Sequence, residues 1–342
     1  MASVVWVLGS GFSKHVGGPL LNELLTPRGR SLVSARFEDG ADLYPEVREI
    51  YRAHAGQSGA QLWNNAEEFL DLIDQARTNE GLGHLVTKTR MSGQAPLPMQ
   101  FLWESACRAV ADECRFCDHA YTEGEAWRPY KDWANLVTND DFIVTFNYDQ
   151  VLETLGFTAA LPSKELTDGQ LYGRSVYKLH GSVDWTLEDG KVVRRPGRDH
   201  TPFLATPGPT KFSHTNDEGP LAPLWSAASQ VLQRADAVVF IGYRFPPSDS
   251  HALSSILWAI GQNKKPRFRL LTVLGPDVRN PDTVRLEQLL VRTMSLSGRE
   301  VEPDKVDASR EIVENGGRIY RLRVLPLYAQ DYMAMFNRWE VS

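Results

Sequence analysis

The stretch "VLGSGFSKHVGG", Val7 to Gly18, decides how the chain is read. An aliphatic run ends in Gly9-Ser10-Gly11, and a helical pattern follows. Glycines between a strand and a helix let the backbone approach a diphosphate, and the helix N-terminus presents N–H groups without intrahelical partners. The dehydrogenase pattern G-x-G-x-x-G fails at its third glycine, which is Lys14 here. That pattern also requires a second strand ending in an acid about 20 residues on; "LLNELLTPRGRSLV" is helical and then breaks. The loop therefore suits a dinucleotide held in another manner. The same turn also serves simply to pack a strand on a helix, and the loop alone does not separate the two.

Working outward, strand-like runs recur at Ser3–Gly9, Asp141–Asn147, Ser175–Gly181, Asp236–Gly242, Phe268–Gly275 and Arg318–Leu327. Several are almost continuously apolar, as strands covered on both faces are. Helical patterns follow, "DQVLETLG" from Asp149 and "DSHALSSILWAIG" from Asp249. Strand then helix, repeated, predicts an α/β fold: a doubly wound, Rossmann-like parallel sheet. Residues 31–137 lack strand-like runs, and their clearest helices are Ala66–Ala76 and Met99–Ala120. They read as a helical insert after the first strand, within a single domain spanning 1–342.

Bulk properties narrow the function. The 342 residues are 42% hydrophobic with a net charge of −6, enough apolar content for a large core and a poor match to a nucleic-acid wrapper. The most basic stretch, Lys191 to Arg198, reads as a solvated hairpin tip. Cys107, Cys114 and Cys117 fall on one helical side and read as packing residues, because Cys114-x-x-Cys117 has no second pair to complete a zinc site. Few cysteines, no signal peptide and no apolar run of about 20 residues predict a cytoplasmic protein without a membrane span.

The residues at four strand ends carry the chemistry. They are Gly9 to Ser13, Thr145-Phe146-Asn147-Tyr148-Asp149, His180-Gly181-Ser182 and Gly242-Tyr243-Arg244. In a parallel sheet these ends meet at one edge, where ligands bind. Singly, each has a plainer role: His180 as a structural histidine, Asp149 as a cap on "QVLETL", Tyr243 as packing.

In order along the chain, "GSGFS", "TFNYD", "LHGSVDW" and "IGYRFPPSD" resemble the sirtuin-like NAD-binding domain family, in its bacterial antiphage-defence branch. The resemblance runs from about Ser3 to about Ser255, interrupted by the insert, and "AEEFLDLID" resembles a helix of that branch's insert. It implies that Gly9, Ser10, Gly11, Phe12 and Ser13 cradle the diphosphate and adjoining ribose. Thr145, Asn147 and Asp149 match the family's T-x-N-x-D motif around the nicotinamide ribose. His180 matches the catalytic histidine, and Gly242, Tyr243 and Asp249 a loop over the adenosine side. The four-cysteine zinc ribbon of deacetylating sirtuins has no counterpart after His180, where Trp185 and a charged hairpin stand; no zinc or other metal is expected.

The expected reaction is cleavage of the nicotinamide–ribose bond of NAD, as substrate, through an oxocarbenium-like transition state. Asn147 positions a water and His180 accepts a proton. The resulting expectation is an NAD glycohydrolase giving nicotinamide and ADP-ribose as an antiphage effector, acting as a homo-oligomer or with a protein encoded nearby, such as a HerA-like ATPase or another phage-sensing subunit. An NAD-dependent deacylase or ADP-ribosyltransferase, and a non-catalytic nucleotide sensor, are the alternatives.

Overall fold

The computed structural model describes residues 2–28, 44–55, 63, 65–87, 98–197, 200–205, 214–215, 218–246, 249–265, 268–277, 279–296, 309–313 and 319–337. Its centre is strand β1 (Val4–Leu8), whose five apolar side chains have no exposed surface. Removing each from water contributes roughly 1.5–3 kcal/mol. β1 pairs in parallel with β2 (Phe142–Thr145) on one side and β7 (Ala237–Ile241) on the other. Beyond β2 lie β4 (Ser175–Lys178) and then β3 (Thr158–Ala159). Beyond β7 lie β8 (Arg269–Val273), β10 (Ile319–Leu325) and β9 (Ser309–Val313). Every pairing in this sheet is parallel except that of β9 with β10. The expected doubly wound, Rossmann-like α/β sheet is the fold.

From β1 the chain adds β2, places β3 at one edge and β4 between them, then crosses to β7 and β8, places β9 at the other edge and β10 between β8 and β9. Strand order thus reverses between β1 and β7, and in open parallel sheets ligands bind outside the carboxyl ends of the strands at such a reversal. Helices Arg128–Leu136 and Ala329–Met335 cover β1, with Trp6 edge-on to Trp133 at 5.3 Å and to Phe336 at 4.9 Å. Helices Ala222–Arg234, Ser250–Gly261 and Pro281–Leu296 pack side by side as a further layer. Asn263, fully buried, donates to the carbonyls of Leu232 and Ala235 and closes the end of the first of these.

Among the described residues between β1 and β2 there is no strand. Helices Pro45–Ala55, Ala66–Ala76, Glu80–Thr87 and Met99–Cys114 enclose a second apolar cluster. Phe69, Leu70, Ile73 and Ala76 form the buried face of Ala66–Ala76 at helical spacing, and Asn65 caps that helix by accepting the Glu68 N–H. Val183 and Leu204, from the chain after β4, enter this cluster, so these helices pack beside the sheet's carboxyl edge. From Phe116 to Val137 the buried residues instead join the sheet's own core. The helix expected over Met99–Ala120 stops at Cys114. The Arg115 guanidinium turns back to Asp112 at 2.9 Å and to the Val183 carbonyl at 2.6 Å, and a short 3-10 turn carries Cys117.

Candidate functional site

Four loops leave the carboxyl ends of β1, β2, β4 and β7 and touch one another. After β1, Gly9 donates to Ile241 and Gly11 to the Gly242 carbonyl, so the glycine loop is clasped to the turn after β7. A Cβ on Gly9 or Gly11 would lie within 2.7 Å of Gly242 or Tyr243 atoms. Loop-against-loop packing therefore demands these glycines before any ligand is considered. Ser10 and Gly11 are partly exposed, whereas Phe12 turns its ring into the core against Tyr130 and Trp133. The Tyr130 hydroxyl donates to the Phe12 carbonyl at 2.6 Å and fixes the turn from beneath.

After β2, the Asn147 amide donates to the Gly9 carbonyl at 3.0 Å and to the Ser13 hydroxyl at 3.1 Å. Its backbone N–H donates to the Thr145 hydroxyl. With both amide hydrogens so engaged, Oδ1 is the acceptor this side chain can offer. The buried Asp149 carboxylate caps the next helical turn by accepting the Val151 N–H at 3.0 Å. Burial lifts its carboxyl above the ordinary range, against the pull of Lys178 and the Ser13 hydroxyl. Gly9, Asn147, Ser13 and Asp149 thus form one polar chain across two strand ends.

After β4, His180 is buried beneath aromatic rings, with Phe146 edge-on at 4.9 Å and Trp225 and Tyr148 each at 6.4 Å. Its Nε2 lies 3.3 Å from Oδ2 of buried Asp249. Tyr243, after β7, stacks on Phe146 at 3.9 Å and donates its hydroxyl to the same Asp249 oxygen. The turn that carries Tyr243 has Gly242 and Phe245 in the left-handed region, at φ +67° and +51°. Arg285 braces it by donating to the carbonyls of Arg244 and Phe245.

Every sequence-derived site residue therefore belongs to this cluster of loops, some through backbone rather than side chain. Sequence reading missed Lys178, whose fully buried ammonium donates to the Asp149 carbonyl at 2.5 Å, Glu153 at 2.9 Å and the Ser182 hydroxyl at 2.8 Å. It ties the Asn147 loop to the His180 loop. A lysine inside the apolar run "SVYKLHG" was the available signal. The expected hairpin pairs β5 (Trp185–Glu188) with β6 (Lys191–Arg194), and Arg194 and Arg195 are matched by Asp184 and Glu188. Among the described residues, no three His, Cys, Asp or Glu side chains converge as a metal site would require, and no helix is long and apolar enough to cross a membrane.

No family model and no curated protein matches the chain. Among solved structures it is similar to a Sir2 homologue mutant in complex with ADP-ribose, at TM-score 0.39 and 12% identity over 88% of this chain and 95% of that one. A second Sir2 homologue mutant with ADP-ribose aligns at TM-score 0.35 with the same identity and coverage.

Proposed function

We propose that the protein is an NAD glycohydrolase of the sirtuin-like, antiphage-defence kind, working as one domain with a helical insert. The observation that carries this reading is the polar chain from Gly9 through Asn147 and Ser13 to Asp149 beside the reversal in strand order, with Phe146 of the same loop edge-on to His180. The crevice is the place for the NAD diphosphate and ribose, with partly exposed Ser10 and Gly11 at its glycine wall. In the reaction the bond between nicotinamide N1 and ribose C1′ breaks, and its electron pair leaves with neutral nicotinamide. No acid is needed at that departure. A water held by Asn147 Oδ1 forms the new C1′–O bond and gives its proton to His180. The residues after His180 support water as acceptor: they lead into the β5–β6 hairpin rather than a zinc ribbon that would wall a peptide groove. A free NAD hydrolase would harm its own cell, so cytoplasmic activity is gated by self-assembly or by a partner protein encoded nearby, acting on phage infection.

The test is mass spectrometry of NAD incubated with the protein, alone and with its neighbouring gene products, with and without an acetylated peptide. Free ADP-ribose indifferent to peptide is expected, with at least about a hundred-fold loss in Asn147→Ala and His180→Gln. Glutamine is chosen because His180 is buried rather than at an open polar edge. Acetyl-ADP-ribose formed only with peptide would replace this reading with a deacylase, and full activity in both variants would remove the site.

A further inference from the structure

Asp249 stands out from the loop to which the resemblance assigned it. That loop would cover the adenosine end of NAD, yet the Asp249 carboxylate is 1% exposed and points inward to His180. Its Oδ2 is shared: the Tyr243 hydroxyl donates to it, and His180 Nε2 lies 3.3 Å away. Residues from the ends of two strands and from the start of helix Ser250–Gly261 therefore converge on one carboxylate oxygen.

We propose that Asp249 is a positioning residue for His180: its carboxylate, steadied by the Tyr243 phenol, holds the imidazole and sets its affinity for a proton. This rests on the glycohydrolase reading for its purpose but not for its chemistry. A carboxylate at Nε2 favours the tautomer with the proton on that nitrogen, which makes Nδ1 the accepting nitrogen. It also stabilises the imidazolium that forms when His180 takes a proton. The phenol is a reliable donor, because burial and the adjacent Asp249 charge push its pKa well above the ordinary value. The other groups around the imidazole fit this assignment. Tyr148, on the β2 loop, is likewise held neutral by burial, with Cys107 and Cys114 close to it. Glu67, from insert helix Ala66–Ala76, acts on both Tyr148 and Tyr243. His251 packs edge-on to Trp225 at 4.7 Å. Phe146 and Trp225 carry no titrating group.

The experiment titrates His180 by NMR in the protein without NAD, using selectively labelled histidine and His180→Gln to assign its signal among the eight histidines. Asp249→Asn removes the charge and keeps the size; the His180 pKa should fall by about one unit or more, since an opposite charge at this range shifts a pKa by about 1–3 units. Tyr243→Phe keeps the stack on Phe146 but removes the phenol's hydrogen bond to the carboxylate, so the same pKa should rise. Opposite signs from two neighbouring substitutions are not what loosened packing produces. An unchanged His180 pKa in folded Asp249→Asn, or shifts of one sign in both variants, overturns the proposal. If Asp249→Asn does not fold, Tyr243→Phe alone decides it, and no rise counts against it. NAD cleavage measured on the same samples separates the two readings: absent cleavage by the parent protein would sink the glycohydrolase and leave the titration result standing.

Discussion

Gly242 shows how much one missing side chain governs at this site. Its φ of +67° is strained for other residues, and a Cβ there would sit 2.5 Å from the backbone of Gly11 and Phe12. Gly190, at the hairpin tip, has φ +75° but open space around its would-be Cβ. The two separate conformation from crowding. Gly190→Ala should cost about 1 kcal/mol through backbone conformation alone. Gly242→Ala should cost at least about 3 kcal/mol, because the clasp between the two loops must part as well. Urea unfolding midpoints would check this, and equal losses would show that the clasp carries no load. Gly9 and Gly11 were legible in the sequence as a turn, but their partner was not, since Gly242 lies more than two hundred residues away. Asn147 and His180 were legible because polar residues end apolar strands. The Asp249–His180 pairing was not, because no spacing rule links residues on different strand ends.

At the scale of elements, strand-like runs disclosed β1, β2, β4, β7, β8 and β10; β1 and β7 are continuously apolar, the trace that strands covered on both faces leave. β3 has only two residues, too few for a run to read, and β9 is the antiparallel edge strand. The helices between β1 and β2 were legible from period, but not the charges sealed between them. Arg48 and Glu113 pair at 2.7 Å with almost no exposure, and Glu113 also accepts the Leu25 N–H. This pair fastens helix Pro45–Ala55 to helix Met99–Cys114 and to the chain leaving the glycine loop. Arg48→Met should destabilise by about 3 kcal/mol, because a buried carboxylate loses its counter-charge. Adding Glu113→Gln, which still accepts from Leu25, should recover most of that loss. If the double variant were as unstable as the single one in chemical denaturation, packing of the arginine stem, not charge, would be what holds the insert.

At the scale of the whole molecule, carboxylates anchor the chain on both sides of the central strand, and this dictates its response to acid. Before β1, Asp236 accepts from Ser3 and pairs with Lys265 at 2.9 Å. Beyond the glycine loop, Glu23 holds Lys14 at 2.5 Å, Arg28 at 3.1 Å and the Leu20 N–H. Burial alone would raise both carboxyls. For Asp236 the Ser3 and Lys265 bonds outweigh it, and for Glu23 the Leu20 N–H and Lys14 do, so both titrate below their ordinary values. A carboxyl lowered on folding contributes stability that is present above the ordinary carboxylate range of about 4 and is lost as pH falls through the folded value. Asp149, raised by burial, has the opposite sign: it favours the folded state at acid pH, and that preference fades as pH rises through the interval above its ordinary value. Acidification from pH 6 to pH 3 should therefore lower the unfolding midpoint of the parent chain more than that of a Glu23→Gln, Asp236→Asn double variant. The double variant loses resting stability near neutrality, but it has less left to titrate. Adding Asp149→Asn should steepen the acid loss again, because it removes the one contribution of the three that acid strengthens. Parallel midpoint curves for the parent and the double variant would show that the anchors of the central strand are not what acid dissolves.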